Sequence, residues 1–102
     1  NQLASYINTQ MANMMIDEVT TLRVVMCVAG ANLIYLNSID TNLLSESDVI
    51  QGLPSMKSVN IKRWCTAGDL RELLLSLDSV TYRYESEGGE YITEYTINRR
   101  DC

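Results

Sequence analysis

The sequence predicts an α+β domain in which a mostly antiparallel sheet of about four strands, in two hairpins, is covered by an N-terminal helix and central helices. Three observations predict this fold. Apolar residues recur at helical spacing near the start, two pairs of β-rich runs flank glycine-containing turns, and Cys65 and Cys102 bracket the second pair. A disulfide between these cysteines would staple the sheet to a helix. With 102 residues, we expect a single domain spanning residues 1–102.

The first predicted element is an amphipathic helix over residues 2–19. Polar residues separate apolar ones that recur at helical spacing, namely Leu3, Ile7, Met11, Met14 and Met15. Such a stripe is typical of a helix packed on a core. Because methionine side chains repack easily, Met11, Met14 and Met15 are also candidate partner-binding residues.

Two β-rich runs follow, over residues 21–28 and 33–39, with Gly30 in the turn between them. Both runs are almost continuously apolar instead of alternating cleanly with polar residues. This composition favours central strands, and we expect both of their faces to be at least partly covered by helices.

The middle of the chain predicts helices. Ser45 and Ser47 are candidate N-caps, because acidic side chains follow each of them in what would be the first turn. Pro54 is tolerated only in a first helical turn, so we expect a break there and a second helical stretch over residues 55–64. Trp64 is expected to anchor the core beside Cys65.

A short leucine-rich helix is predicted next. Thr66 is its candidate N-cap, and four leucines share one face of the helix. These are Leu70, Leu73, Leu74 and Leu77.

The second hairpin is predicted with a two-residue turn at Gly88 and Gly89. Counting back from that turn gives a cross-strand register of Val80 with Ile97, Thr81 with Thr96, Tyr82 with Tyr95, Arg83 with Glu94 and Tyr84 with Thr93. One face of the hairpin then carries the tyrosines. Since tyrosine has an apolar body and a polar tip, this face either packs under helices or forms a partner-binding surface. Its candidate residues are Tyr82, Tyr84, Tyr91 and Tyr95.

The cysteines indicate an oxidising compartment. Pairing Cys65 with Cys102 closes a loop of about 38 residues and would contribute roughly 3–4 kcal/mol of stability. Cys27 lies in an apolar run, where a thiol behaves as a small buried hydrophobic group; the alternative is a reactive or intermolecular thiol. The sequence alone also leaves open a pairing of Cys27 with Cys65 or with Cys102.

Composition excludes most catalytic chemistry. The chain has no histidine, which removes Ser-His and Cys-His nucleophile pairs and histidine-containing metal sites. We therefore expect no enzyme, no metal and no cofactor. The carboxylates around the second hairpin's tip are typical of a solvated charge cluster. A net charge of −5 argues against nucleic-acid binding, and no apolar run is long enough for a membrane span.

The C-terminal third resembles a family of small exported bacterial proteins. The resemblance rests on residues 65–74, on residues 80–84, on Gly89-Glu90, on Ile97 and on Asp101-Cys102. The order of elements along the chain is similar to that of the α/β class of type II secretion pilotins. These are periplasmic lipoproteins that bind a secretin subunit and guide it to the outer membrane. The resemblance implies helices on a mostly antiparallel sheet, a Cys65–Cys102 disulfide and non-catalytic work.

The sequence thus predicts a periplasmic or secreted bacterial protein-interaction module. A secretin subunit or another envelope component is the expected partner, bound as a helix in a groove or as a strand on a sheet edge. We expect membrane contact only through a lipid anchor, which this chain does not carry. An inhibitor or immunity protein that blocks an exported enzyme is the alternative, since the acidic balance suits a basic target cleft.

Overall fold

The computed structural model describes Met14–Met15, residues 19–28 and residues 30–102. Strands and helices follow one another there in the order expected of an α+β domain. They are β1 (Met14–Met15), β2 (Thr20–Val28), β3 (Asn32–Ile39), α1 (Glu46–Thr66), α2 (Gly68–Ser76), β4 (Ser79–Ser86), β5 (Tyr91–Ile97) and a 3₁₀ helix (Arg99–Asp101).

The strands form one sheet in the order β1-β2-β3-β4-β5. Neighbours are antiparallel except for β3 and β4, which are parallel and in register from Asn32 opposite Ser79 to Ile39 opposite Ser86. Parallel neighbours need a crossover connection, and α1 and α2 supply it. The predicted mostly antiparallel sheet with two hairpins is confirmed, with the short β1 added at one edge.

The predicted N-terminal helix falls largely outside the described residues, which leave out positions 1–13 and 16–18. Where the chain is described, the prediction of a helix is wrong. Met14 pairs with Leu22 and Met15 with Thr21, so both methionines are in a strand. Backbone pairing with the edge of β2 here overrides the helical spacing of the apolar residues, which is only a weak local preference.

The first hairpin joins β2 and β3 around Gly30, whose φ of 85° is a conformation that favours glycine. Its register runs from Val28 opposite Asn32 to Thr20 opposite Ile39, with one irregularity between Leu22 and Val24. The two apolar runs thus form neighbouring strands, as predicted.

Helix α1 is continuous through Pro54, so the predicted break is wrong. Of the two N-cap candidates, Ser45 is confirmed, because its hydroxyl accepts the Asp48 N–H at 3.2 Å, and Ser47 is wrong, because it lies inside the helix. Proline removes one backbone donor, whose partner would be the carbonyl of Ile50 four residues earlier. Both residues lie on the exposed side of α1, where water can satisfy that carbonyl, while Val49 and Trp64 hold the two ends of the helix in the core.

Helix α2 does not begin with a cap at Thr66, which corrects that prediction. Thr66 is the last residue of α1 and its hydroxyl donates to the Lys62 carbonyl at 2.6 Å, while Ala67 is the N-cap of α2 without a side-chain bond. The predicted leucine stripe is confirmed as the face that α2 turns to the core. Leu74 and Leu77 are buried, and Leu70 and Leu73 pack against the same cluster.

The second hairpin has the predicted register from Val80 to Tyr84, but its turn differs. The Ser86 N–H donates to the Glu90 carbonyl and the Gly89 N–H to the Ser86 carbonyl, which leaves residues 87–89 as the loop. Beyond Tyr84 the register shifts by one residue and passes over Ile92. The longer loop and this bulge offset one another, so the register matches that of a two-residue turn.

The core lies between the helices and one face of the sheet, which we call the tyrosine face. Residues paired across neighbouring strands share a face, so Leu33, Tyr35, Val80, Tyr82 and Tyr95 lie together. Both α1 and α2 place buried side chains in this cluster. The described helices therefore cover one face of the sheet, and the predicted cover of the other face stays a prediction.

Candidate functional site

The tyrosine face carries a row of stacked rings. Tyr35, Tyr82 and Tyr95 come from β3, β4 and β5, which are consecutive in the sheet. The ring centroids of Tyr35 and Tyr82 are 4.9 Å apart and those of Tyr82 and Tyr95 are 5.2 Å apart, with both pairs stacked. Tyr84 joins the end of the row, 6.2 Å from Tyr95. The row spans the strands from β3 to the edge of the sheet.

Two hydroxyls of this row accept hydrogen bonds from α1. The indole Nε1 of Trp64 donates to the Tyr82 hydroxyl at 2.7 Å. The Asn60 side-chain amide donates to the Tyr95 hydroxyl, which lies 3.5 Å from that of Tyr84. The row therefore attaches α1 to the sheet, and its rings contribute to the core instead of standing open to a ligand.

Burial extends to higher pH the range over which these phenols stay protonated. It raises the pKa of Tyr82 and of Tyr95 well above the ordinary value of 10.0. The pKa of Tyr35 is also raised by burial, which outweighs the lowering effect of Arg63. At neutral pH these side chains are therefore hydrogen-bonding groups and not bases.

Three of the four predicted tyrosines, Tyr82, Tyr84 and Tyr95, are brought together in this row. Tyr91 is not part of it: its side chain is 57% exposed and belongs to the first residue of β5, beyond the bulge at Ile92. The bulge interrupts the alternation of side chains between the two faces of the sheet along β5. The prediction for Tyr91 assumed that this alternation is regular.

The predicted methionine surface consists of Met11, Met14 and Met15. Met11 is outside the described residues, and Met14 and Met15 are in the edge strand β1. In the order of the sheet, β2 and β3 separate β1 from β4 and β5, which carry the predicted tyrosines.

The disulfide joins Cys65, near the end of α1, to Cys102, with Cα atoms 5.4 Å apart. Cys27 lies outside this bond and is half-buried, with its thiol donating to the Gly30 carbonyl at 3.0 Å. Of the pairings that the sequence leaves open, the structure thus has Cys65 with Cys102.

The opposite side of the sheet, the outer face, carries an apolar strip that sequence reasoning missed. The register pairs Val24 with Leu36 and Met26 with Ile34, with Val28 next along β2. Four of these five side chains are half-buried, and Val28 is 46% exposed. None of them is in the core cluster beneath the helices. The sequence feature that could have predicted this strip is the near-continuous apolar composition of both strands. That composition does not show what covers each face of the sheet.

The outer face becomes polar toward β4 and β5. Thr81 pairs with Thr96, and their hydroxyl oxygens are 2.9 Å apart. Arg83 and Glu94, also paired, form a salt bridge of 3.3 Å. The apolar strip thus has a hydrogen-bonded polar border on one side, as protein interfaces commonly do.

Within the described ranges, no group of three or more cysteine, aspartate and glutamate side chains could hold a metal ion. The helices in those ranges include none long and apolar enough to cross a membrane. The sheet thus has a tyrosine-filled core on one face and an apolar strip on the other.

The sequence matches no known protein family, and no curated protein is similar to it. Solved structures do share its fold. A Pseudomonas aeruginosa protein described as a candidate secreted protein has a TM-score of 0.77 at 15% identity, over 99% of this chain and 90% of its own. Pilotin EpsS of the Vibrio vulnificus type 2 secretion system has a TM-score of 0.74 at 10% identity, over 99% and 86%. The type II secretion pilotin AspS of Vibrio cholerae has a TM-score of 0.67 at 14% identity, again over 99% and 86%. The chain is therefore similar in fold to type II secretion pilotins.

Proposed function

We propose that this protein is a non-enzymatic protein-interaction module of bacterial secretion or envelope assembly, with a pilotin-like role. The observation that carries the proposal is a fold shared with two pilotins over nearly the whole chain, combined with an apolar strip on the outer face. A secretin subunit is the partner that the pilotin likeness suggests, and another envelope protein is the broader possibility.

Export supports this role. A disulfide between Cys65 and Cys102 persists in the periplasm or outside the cell, whereas cytosolic thiols are kept reduced. We therefore place the protein in the periplasm or among secreted proteins. Contact with a membrane would be through a lipid anchor, as in the lipoproteins that the sequence resembles.

The apolar strip is the surface on which we place the partner. Met26 and Ile34 are at its centre, and methionine adapts its shape to a bound segment. The tyrosine face is a poor alternative because the hydroxyls of Tyr82 and Tyr95 already accept hydrogen bonds from α1. An apolar segment of the partner would bury the strip, while the Arg83–Glu94 pair borders the contact.

The experiment is a binding titration of the purified protein with the secretin subunit encoded in the same genome. Met26→Glu places a charge in the middle of the strip and is expected to weaken binding by about tenfold or more. Thr41→Glu is the matched control, since it adds the same charge at an exposed position in the turn after β3, outside the strip. Circular dichroism and urea unfolding establish that both variants fold.

Two results would overturn parts of the proposal. Equal binding by the parent protein and the Met26→Glu variant would remove the strip as the binding surface. No binding of the secretin subunit would remove the pilotin role.

An inhibitor of an exported enzyme is the second candidate, favoured by the exposed Glu87 and Glu90 and the net charge of −5. Binding to a basic enzyme that falls steeply with added salt would support it.

A further inference from the structure

Strand β5 forms one edge of the sheet and has seven residues. At the other edge the structure describes two residues of β1. Strand β4 pairs with the inner side of β5, and no other described residue forms a backbone hydrogen bond with this strand. A long edge strand is a template for pairing with another chain unless lysine, proline, a bulge or a cover protects it. Strand β5 contains neither lysine nor proline, and its bulge at Ile92 leaves residues 93–97 in regular pairing.

We infer that β5 is a self-association edge, on which a second copy of this chain pairs its own β5 antiparallel across a two-fold axis. The inference goes beyond the proposed function and shares no residue with the apolar strip. Two-fold symmetry makes the same surface serve both copies, and it closes the assembly at a dimer. The sheet would then continue from one copy into the other.

Charge along the edge identifies a second copy as the occupant. The hairpin tip before β5 carries exposed Glu87 and Glu90, and the 3₁₀ helix after it carries exposed Arg99, Arg100 and Asp101, two positive charges against one negative. Antiparallel pairing brings the acidic end of one strand beside the basic end of the other. An axis at Tyr95 brings Glu90 of each copy toward the 3₁₀ helix of the other, which carries Arg99 and Arg100, so the two ends attract one another.

Helix α1 has an exposed apolar flank that the proposed dimer would bury. Residues 50, 54 and 65 share one flank of the helix, since 3.6 residues make a turn. Cys65 is bonded to Cys102, which follows β5, so this flank lies on the β5 side of the molecule. Ile50 is 50% exposed and Pro54 is exposed. The two-fold axis puts both α1 helices on the same side of the joined sheets, with these flanks facing one another.

The test is sedimentation equilibrium of the whole chain over a wide concentration range. The expected result is a concentration-dependent dimer whose dissociation constant rises roughly tenfold in each of Glu90→Arg and Arg100→Glu, because each variant sets like charges opposite one another twice in the dimer. A mixture of the two variants is expected to recover the parent affinity as a heterodimer. In that heterodimer every residue at position 90 again meets an opposite charge at position 100.

Helix α1 gives a second, independent measurement. Ile50→Glu is expected to weaken the dimer by about tenfold, whereas Val59→Glu lies on the other flank, is equally charged and is expected to leave it unchanged. A monomer at every concentration would overturn the inference. So would a dimer that responds neither to the charge reversals nor to Ile50→Glu. Binding of the secretin subunit is measured with variants of the apolar strip, and dimerisation with variants of other residues. The proposed function and the proposed dimer can therefore be refuted separately.

Discussion

The indole Nε1 of Trp64 lies 2.7 Å from the hydroxyl oxygen of Tyr82 and donates a hydrogen bond to it, which joins α1 to the middle of the sheet. Trp64 is only 1% exposed, so this donor has no access to bulk water. The ring of Tyr82 is at the same time stacked between those of Tyr35 and Tyr95. One side chain thus connects the helix with three strands.

Tyr82→Phe removes the acceptor and leaves the indole donor buried without a partner. We expect a loss of about 1–3 kcal/mol in the free energy of unfolding. Urea denaturation with an unchanged m-value measures it. Tyr91→Phe is the matched control, because the same atom is removed from an exposed side chain, and its effect should stay within about 0.5 kcal/mol. Equal effects of the two changes would show that the bond to Trp64 contributes nothing.

Alkaline pH is expected to destabilise the fold. Burial raises the pKa of Tyr82 and Tyr95 in the folded protein above the ordinary 10.0 that these phenols regain on unfolding. Their contribution is therefore complete below pH of about 10, and it is lost as the pH rises further, because only the unfolded chain then releases the protons. Urea unfolding at a series of pH values measures the decline, and the absorbance of tyrosinate follows the ionisation. Ionisation of all tyrosines near pH 10 in the folded protein would contradict the expectation.

Removal of the disulfide is expected to cost about 3–4 kcal/mol, since the bond spans 37 positions in sequence and restricts the unfolded chain. Paired substitution of Cys65 and Cys102 by serine, followed by thermal and urea unfolding, measures this loss. Cys27→Ser is the control for replacing a thiol outside the bond. In the parent protein, thiol counting before and after unfolding should find one thiol, and three would refute the disulfide.

Adjacent glycines in the second hairpin should respond differently to alanine. Gly89 has a φ of 88°, which an L side chain adopts at a cost of about 1–2 kcal/mol, so Gly89→Ala should be destabilising. Gly88→Ala meets only the Ser86 hydroxyl oxygen at 3.7 Å, an ordinary contact, and should be neutral or stabilise by up to about 1 kcal/mol. Thermal unfolding of both variants tests the assignment, and the reverse order would mean that Gly88 holds the left-handed position.

Sequence patterns predicted those parts of the fold that depend on residues close to one another in the chain. The pairs from Val80 with Ile97 to Tyr84 with Thr93 follow from alternation along a hairpin, and they are confirmed. The turn itself was not predictable by counting, because a three-residue loop and the bulge at Ile92 produce the same register as a two-residue turn. Pro54 was misjudged for a different reason, since packing at both ends of α1 outweighs one lost hydrogen bond.

Longer-range features could not be predicted from sequence patterns. The parallel pairing of β3 with β4 joins residues separated by α1 and α2, and no spacing in the sequence encodes it. The apolar strip on the outer face also depends on strand pairing, which sequence patterns do not show. Met26 and Cys27 are neighbours in one apolar run, and only the register places Met26 away from the helices. The predicted binding role of the methionines and tyrosines stays a prediction.

The position of Trp64 has a spectroscopic consequence. It is the only tryptophan among 102 residues, and its ring lies 6.4 Å edge-on from that of Tyr35. Light absorbed by the tyrosine row should therefore be re-emitted largely by this indole. When α1 separates from the sheet, the emission should shift to the red and the transfer should fall together. The intrinsic fluorescence of the unlabelled protein thus reports one defined contact, between α1 and the sheet.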